Sequence, residues 1–200
     1  MGKAKENKIR NEKSLLEAAF ELFSTKGLEK TSVSDVVGKS GLARGTFYNY
    51  FPGIEALWDK TIDLFVKNIA EILNRERQNA RSLHEFIYNS FYAYAKLFED
   101  PRHVNLLTRN QALFRKSLFS TDSIHSIFAS LEKDMKESPW FEGFSPAQYK
   151  MTSYAMVGAA MELIIQTKTQ ENVLSTEHLS DYFSHLFIAG IQEFMLKNEK

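Results

Sequence analysis

The sequence predicts an all-α protein with a small N-terminal helical domain and a larger C-terminal one, about nine helices in all. Apolar side chains recur at helical spacing over most of the chain. Hydrophobic residues make up 44% of the sequence and aromatic residues 13%, whereas only 9 glycines and 4 prolines are present. This composition favours packed helices over turn-rich sheets. At 200 residues, the chain can bury a sizeable core.

The first two helices are marked by start and stop signals. Apolar residues recur every three or four positions over residues 8–26, and Gly27 follows as a C-terminal stop. Ser32 and Asp35 have the spacing of a capping box, which predicts the start of a short second helix ending at Gly41. A long helix is therefore followed by one of about two turns.

A third helical segment follows after only a few residues. It is predicted over residues 44–49, with Phe47 and Phe51 as side chains that face inward. Two short helices joined by a tight glycine turn, and braced by a longer first helix, form a helix-turn-helix. We place this motif at about residues 32–51.

A break at Pro52 separates this motif from the rest of the chain. We therefore predict one domain of residues 1–53 and a second of residues 54–200. A long helix, predicted over about residues 54–77, follows the break directly. Further helices are predicted at about residues 82–99, 102–118, 122–137, 145–168 and 176–197.

The stretch SGLARGTFYNYF, residues 40–51, has the side chains that a helix entering the DNA major groove needs. Arg44 can form a bidentate contact to guanine, and Gly45 allows close approach of the backbone. Hydroxyl and amide groups for phosphates or bases come from Thr46, Tyr48, Asn49 and Tyr50. The residues alone leave an alternative open, a helical bundle in which these rings are core.

Charge gives weak support to a polyanionic partner. The net formal charge is zero, but residues 1–50 hold 9 Lys and Arg against 6 Asp and Glu, so the basic surplus lies at the front. The remaining residues carry a matching acidic surplus. A surplus of three is also typical of an ordinary solvated surface.

Residues 15–58, LLEAAFELFSTKGLEKTSVSDVVGKSGLARGTFYNYFPGIEALW, resemble the N-terminal domain of the tetracycline-repressor (TetR) family of bacterial transcription regulators. The matching features are paired alanines before Leu-Phe, a glycine, a Thr-x-Val start to the second helix, and Gly-x-x-x-Gly-Thr-x-Tyr-x-Tyr-Phe. An acidic residue two positions before Leu57 completes the pattern. The rest of the chain resembles the family in length and helical content.

The resemblance implies a set of DNA-contacting residues. One near the start of the second helix contacts a phosphate, three face the groove, and three hold backbone or bases. With one lysine added as a candidate phosphate contact, they are Ser32, Lys39, Arg44, Gly45, Thr46, Tyr48, Asn49 and Tyr50. The partner is then a double-stranded, palindromic operator.

Two positions depart from the family pattern. Ala43 stands where the family often has Ser or Thr, which removes a helix cap worth about 1 kcal/mol. Ile54 stands where a lysine commonly begins the fourth helix, so one phosphate contact is missing. Basic residues elsewhere are candidates to compensate, namely Lys3, Lys5, Lys8, Arg10, Lys30 and Lys39.

The C-terminal part has more aromatic residues than a tight core needs, and several carry a polar tip. Such rings can line a cavity for a small apolar or aromatic ligand. The candidate pocket residues are Phe91, Tyr94, Phe114 and Trp140. The alternative is that these rings are core.

The last two predicted helices are candidates for a homodimer interface. One contains small residues that allow close helix approach, and the other is rich in apolar side chains. Two such helices from each subunit would form a four-helix interface. The residues placed there are Tyr154, Gly158, Phe183, Phe187 and Ile191.

Several function classes have little support. The chain has no cysteine, which excludes disulfides, thiolate metal sites and cysteine nucleophiles. HEFIY has Tyr88 where a zinc protease needs its second histidine, and no nucleophile elbow or phosphate-binding loop is present. We therefore predict no enzyme activity, no cofactor and no metal. The charged start MGKAKENKIRNEK lacks a signal-peptide core, so we expect a cytoplasmic protein without membrane contact.

Together these observations predict a dimeric, sequence-specific DNA-binding regulator, with a repressor released by a small ligand as the expected form. The competing class is a helical protein-interaction module without DNA binding.

Overall fold

The computed structural model describes residues 2–120, 122–168 and 174–198. These residues form ten α-helices and two short 3-10 helices, with no strand among them, which confirms the all-α fold. The 3-10 helices span Leu28–Lys30 and Pro139–Phe141. The α-helices are α1 (Lys3–Thr25), α2 (Val33–Ser40), α3 (Arg44–Tyr48), α4 (Ile54–Gln78), α5 (Leu83–Leu97), α6 (Pro101–Arg109), α7 (Gln111–Ser120), α8 (Asp122–Glu137), α9 (Pro146–Lys168) and α10 (Thr176–Asn198).

Contacts divide the described residues into two compact units. The first contains residues 2–65 and 101–120, and the second contains residues 66–100 with everything described after 121. α4 begins in the first unit and ends in the second. The boundary predicted at residue 53 marks the end of the helix-turn-helix and stays a prediction.

The core of the first unit is built on one stripe of α1. Leu15, Ala19 and Phe23 recur at helical spacing and are fully buried, which is the pattern of an amphipathic helix facing a core. Phe23 meets Trp58 of α4 edge to face, with 5.2 Å between the ring centroids. This stripe is the support against which α2 and α6 pack.

Both predicted glycine stops are confirmed. Gly27 follows α1 with φ of 81°, and Gly41 caps α2 with φ of 70°. Both values lie in the left-handed region, which glycine enters without the steric cost of a Cβ atom. Gly41 thus forms the tight turn that brings α3 close to α2.

The prediction of a single helix over residues 102–118 is wrong. The helix is interrupted at Asn110, and the segment forms two helices, α6 and α7. The Asn110 side chain is buried and bonded to the backbone on three sides. Its Oδ1 accepts from the Leu28 N–H at 2.7 Å, and its Nδ2 donates to the carbonyls of Phe23 at 3.1 Å and Leu106 at 2.8 Å. Asn110 thereby ties this break to the end of α1 and to the segment after it.

The second unit has its own aromatic core. α5 packs along α10, and α8 packs against α9. Phe91 of α5 stacks on Phe183 of α10 with 4.1 Å between ring centroids and 12° between ring planes. Phe86 meets Phe141 edge to face at 5.5 Å. The predicted helices at about 82–99, 122–137, 145–168 and 176–197 are confirmed to within a residue or two.

A buried polar cluster ties the end of α4 to α8. Arg77 Nε donates to Asp134 Oδ2 at 2.6 Å, and Arg77 Nη2 donates to Ser130 Oγ at 2.8 Å and to Asn74 Oδ1. The Arg77 side chain is 3% exposed and that of Asp134 14%. Burial lowers the pKa of the Arg77 guanidinium, while the hydrogen bond to Asp134 opposes this. The two side chains are therefore removed from water, and each depends on the other as its hydrogen-bond partner.

None of the helices in the described ranges is both long enough and apolar enough to cross a lipid bilayer.

Candidate nucleic-acid interface

The start of α2 is fixed by the predicted capping box. Ser32 is the N-cap, its Oγ accepts from the Asp35 N–H at 3.2 Å, and its own N–H donates to Asp35 Oδ2 at 2.9 Å. Lys26 Nζ lies 2.8 Å from Asp35 Oδ1. The Lys26 ammonium, and then the Ser32 hydroxyl and N–H, hold the pKa of the Asp35 carboxyl well below its usual range. The first turn of α2 is thus rigidly specified.

The same network affects the predicted phosphate contact of Ser32. Its hydroxyl donates to Asp35 Oδ2 at 2.6 Å, so its proton is directed inward. A phosphate contact would require the hydroxyl to rotate away from Asp35. The role of Ser32 on DNA stays a prediction, and its role as a helix cap is observed.

α3 is only five residues long and depends on its neighbours for stability. Its N-cap, Ala43, is extended and makes no side-chain cap, as its sequence predicts. A helix this short does not persist alone. Phe47 is fully buried and Phe51 is 6% exposed, with 6.0 Å between their ring centroids. These two side chains hold α3 on the core, which confirms their predicted inward direction.

The opposite side of α3 faces solvent. Arg44, Gly45 and Asn49 are exposed, Tyr48 is 48% exposed, and Thr46 and Tyr50 are half-buried. A Cβ atom added at Gly45 would meet no atom within 4 Å apart from its chain neighbours and the backbone of its own helix. The fold therefore has no steric need for glycine at this position, and the space beside it is open to a partner.

Arg44 connects the two helices of the motif. Its Nη1 donates to Ser34 Oγ of α2 at 3.3 Å, and its Nη2 donates to the Tyr48 hydroxyl at 3.4 Å. Its guanidinium carbon lies 5.9 Å from the centroid of the Tyr48 ring, within cation–π range. The guanidinium is therefore held at the exposed surface shared by α2 and α3.

Exposed basic side chains are also present on α1 and α2. Lys39 of α2 forms an ion pair with Glu21 of α1, so a phosphate would compete with this carboxylate for Lys39. α1 begins at Lys3, five residues earlier than predicted. The basic residues of this first part of α1 are exposed and helical, and they are Lys3, Lys5, Lys8 and Arg10.

The family model described as "Bacterial regulatory proteins, tetR family" matches residues 15–60. Residues 15–60 thus match this family and are named the TetR-family domain. Within it, 43 residues are 56% identical to an uncharacterised HTH-type transcriptional regulator, YvdT, of Bacillus subtilis (strain 168). That match covers 22% of this chain and 22% of YvdT. The resemblance predicted from residues 15–58 is thereby confirmed.

Longer matches extend past the TetR-family domain at low identity. YhgD, another uncharacterised HTH-type regulator of B. subtilis (strain 168), is 18% identical over 193 residues, or 92% of this chain and 97% of YhgD. The crystal structure of the transcriptional regulator FadR from B. subtilis in complex with stearoyl-CoA superimposes with a TM-score of 0.74 at 16% identity. The superposition covers 89% of this chain and 98% of FadR, so the two proteins share a fold.

Outside the TetR-family domain, the predicted pocket residues are only partly brought together. Phe91 is 2% exposed and its ring lies 6.3 Å from that of half-buried Tyr94, in the second unit. Burial raises the pKa of the Tyr94 phenol. Trp140, in the same unit, meets Phe86 edge to face, with 5.9 Å between the ring centroids. Phe114 is 5% exposed and belongs to the first unit. The ligand pocket stays a prediction.

The predicted interface residues differ in exposure. Tyr154 is 50% exposed, Gly158 is exposed, and Phe187 is half-buried. Phe183 and Ile191 are each 3% exposed and fill the core of the protomer, so they are poorly placed to contact a partner directly. The reason is that α10 is apolar on two sides, and its inward side includes these two residues.

A second apolar stripe on α10 lies at the surface. Leu186 and Phe194 are among the apolar side chains of this helix from which the interface was predicted, whereas Tyr182 was not considered. Tyr182 is 60% exposed, Leu186 51% and Phe194 53%, and on α9 Met151 is 61% exposed. The spacing of four residues from 182 to 186, 190 and 194 places these positions on one face. What distinguishes this stripe from the core is the burial of Leu179, Phe183 and Ile191 on the inward side of the same helix.

Candidate metal ligands do not cluster in the described part of the chain, where no group of three or more His, Cys, Asp or Glu side chains is arranged to hold an ion.

Proposed function

We propose that the protein is a dimeric, sequence-specific DNA-binding transcriptional regulator, in its simplest form a repressor that a small ligand releases from its operator. The observation that carries this proposal is the exposed face of α3. In a TetR-family domain, this short helix presents Arg44, Gly45 and Tyr48 outward while Phe47 is fully buried behind them. Such a face matches the requirements for major-groove binding.

The division of labour on this face follows from chemistry. A guanidinium matches the N7 and O6 acceptors of guanine, whereas hydroxyl and amide groups and lysines suit phosphate oxygens. We therefore assign base recognition to Arg44. We assign contacts with the DNA phosphate backbone, which position α3, to Tyr48, Tyr50 and Asn49. The basic start of α1 adds an electrostatic attraction that does not depend on the DNA sequence.

The test is to select bound duplexes from a random double-stranded pool and then to compare wild type with Arg44→Ala. We expect the substitution to cost about 1–3 kcal/mol per half-site and to relax the preference at one base pair. The measurement is the dissociation constant for the selected operator, for its single-base variants and for random DNA. Arg44 is exposed, so the variant should remain folded.

An equal loss on operator and random DNA would show that Arg44 contacts phosphate only. Arg10→Ala is a matched control, because Arg10 lies on the exposed start of α1. Its loss should weaken all duplexes alike and reduce the salt dependence by about one phosphate contact.

We further propose a homodimer through the exposed faces of α9 and α10. Tyr154 and Gly158 on α9, with Tyr182, Leu186 and Phe194 on α10, form an apolar surface that water would otherwise cover. Two helices from each subunit would bury it in a four-helix arrangement. A two-fold dimer presents two recognition helices related by its symmetry axis, so its operator should be palindromic. The centres of the two half-sites should lie about 34–36 Å apart, which is one turn of DNA.

Leu186→Glu is expected to convert this dimer to a monomer, because two carboxylates would be buried without partners at the two-fold interface. Sedimentation at micromolar concentration measures the outcome. Leu174→Glu is the matched control, since Leu174 is 52% exposed but precedes α10. A wild-type protein that sediments as a clean monomer would contradict this assembly.

The ligand is proposed to bind the second unit. FadR of B. subtilis was solved with stearoyl-CoA, so that compound is the first probe for this chain, whose aromatic residues suit an apolar or aromatic ligand. α4 is the helix that both units share, and it starts directly after the recognition segment. A ligand acts only if its affinity differs between the DNA-bound and released states, typically by about 1–3 kcal/mol.

The remaining parts of the proposal follow from the family. Its members are named as regulatory proteins, and we assign this chain no enzymatic activity and no cofactor. We place it in the cytoplasm, where its DNA would be.

A further inference from the structure

Arg44 is held by two hydroxyl groups from different helices. Ser34 Oγ comes from α2 and accepts from Nη1 at 3.3 Å, while the Tyr48 hydroxyl comes from α3 and accepts from Nη2 at 3.4 Å. Two acceptors on two different nitrogens fix the plane of a guanidinium as well as its position. Sequence reasoning singled out Tyr48 for DNA contact but not Ser34.

The donors that remain are sufficient for base recognition. A guanidinium has five N–H groups, and the two hydroxyls use one on each Nη atom. One N–H on each Nη and the Nε–H remain free for guanine, which needs two for a bidentate contact. Holding Arg44 in this way therefore does not use up its ability to bind a base.

Ser34 itself belongs to a rigid turn. It is the second residue of α2 and is exposed, and the turn is held by the Ser32–Asp35 capping box and by Lys26. Arg44, by contrast, is a long side chain on a five-residue helix whose N-cap makes no side-chain bond. The better-anchored helix thus directs the side chain of the less well-anchored one.

We propose that Ser34 is a positioning residue, which sets the direction of Arg44 and so sharpens the base preference of the recognition helix. The proposal rests on the proposed function, and its action runs through Arg44. A long side chain that is already ordered loses less conformational freedom on binding than one that samples many rotamers. The benefit applies to the base pair that Arg44 contacts and not to the phosphates.

The experiment compares wild type, Ser34→Ala and Ser34→Thr on the selected operator, on the operator changed at the base pair that Arg44→Ala relaxes, and on random DNA. Ser34→Ala should lower the ratio of matched to mismatched affinity roughly 3- to 10-fold. Affinity for random DNA and the salt dependence should not change. Ser34→Thr keeps the hydroxyl and should retain the wild-type ratio.

Ser40→Ala is the matched control. Ser40 is the last residue of α2, and its hydroxyl donates to the Val37 carbonyl of the same helix. Its loss should leave the ratio unchanged. In the Arg44→Ala background, Ser34→Ala should have no further effect, because the side chain that it positions is gone.

Several results would overturn the proposal. Additive losses in the double variant, or equal losses on all duplexes, would mean that Ser34 contacts DNA itself. NMR of the Arg44 Nε–H in the DNA-free protein supplies a second measurement, and equal mobility in wild type and Ser34→Ala would also overturn it. If wild type selects no sequence at all, the proposed function fails. If wild type selects an operator and Ser34→Ala keeps full discrimination, only the role of Ser34 fails.

Discussion

Replacing Asp134 by alanine is expected to lower the free energy of unfolding by about 3–5 kcal/mol. The Arg77 side chain is 3% exposed and would be left as a buried charge without its carboxylate. Ser130 and Asn74 accept hydrogen bonds from Arg77 but carry no charge to balance it. Chemical denaturation at one fixed protein concentration measures the loss, since dimerisation also contributes to apparent stability.

Glu137→Ala is the matched control for Asp134→Ala. Glu137 lies on the same helix and pairs with Lys133 at 3.8 Å, but the two side chains are 63% and 70% exposed. An exposed pair of this kind contributes about 0.5 kcal/mol or less. If the two variants lose the same stability, the Arg77–Asp134 pair does not hold α4 to α8.

Replacing Phe47 by alanine is expected to destabilise the TetR-family domain by about 3–5 kcal/mol. Phe47 is fully buried, and with Phe51 it anchors a helix too short to persist alone. Operator affinity should fall with the population of correctly placed α3. Hydrogen exchange of amides in α1 to α3 reports the stability of this domain separately from the second unit.

Tyr48→Ala separates stability from binding. Tyr48 is the neighbouring aromatic residue. It is 48% exposed, although its ring meets that of Phe47 edge to face, with 5.3 Å between the ring centroids. Its loss should destabilise the domain much less than the loss of Phe47 and still weaken DNA binding. If Phe47→Ala leaves the exchange rates unchanged, or if Tyr48→Ala destabilises the domain as much, the assignment of the two faces of α3 is wrong.

The helix-turn-helix could be predicted because its determinants are local in sequence. The capping box joins residues three positions apart. The helix ends at Gly27 and Gly41 depend only on the positive φ of a single glycine in each case. The inward direction of Phe47 and Phe51 follows from helical spacing. Each of these signals operates within a few residues, where sequence patterns are informative.

The break at Asn110 could not be predicted, because its causes are distant in sequence. The side chain of Asn110 bonds to Leu28 and Phe23, which lie 82 and 87 positions away. Without those partners, residues 102–118 have an ordinary helical pattern. The Arg77 cluster has the same origin, since Asp134 lies 57 positions along the chain.

The sequence also could not predict which side of α10 faces the core, because this helix carries apolar residues on two sides. In α10, periodicity alone does not distinguish the inward series of Phe183 and Ile191 from the outward series of Tyr182 and Leu186. Both series repeat every four residues. Only the packing of α10 against α5 decides which of them forms the core.

The central claim, sequence-specific DNA binding by the TetR-family domain, is tested most directly by one salt series. The affinity of the 200-residue chain is measured for a selected operator and for a scrambled duplex between about 50 and 200 mM salt. We predict a preference for the operator throughout, and a fall of about 10³–10⁵ in affinity if about 6–10 phosphates are contacted. Equal affinity for both duplexes with little response to salt would contradict the account and would favour a helical protein-interaction module.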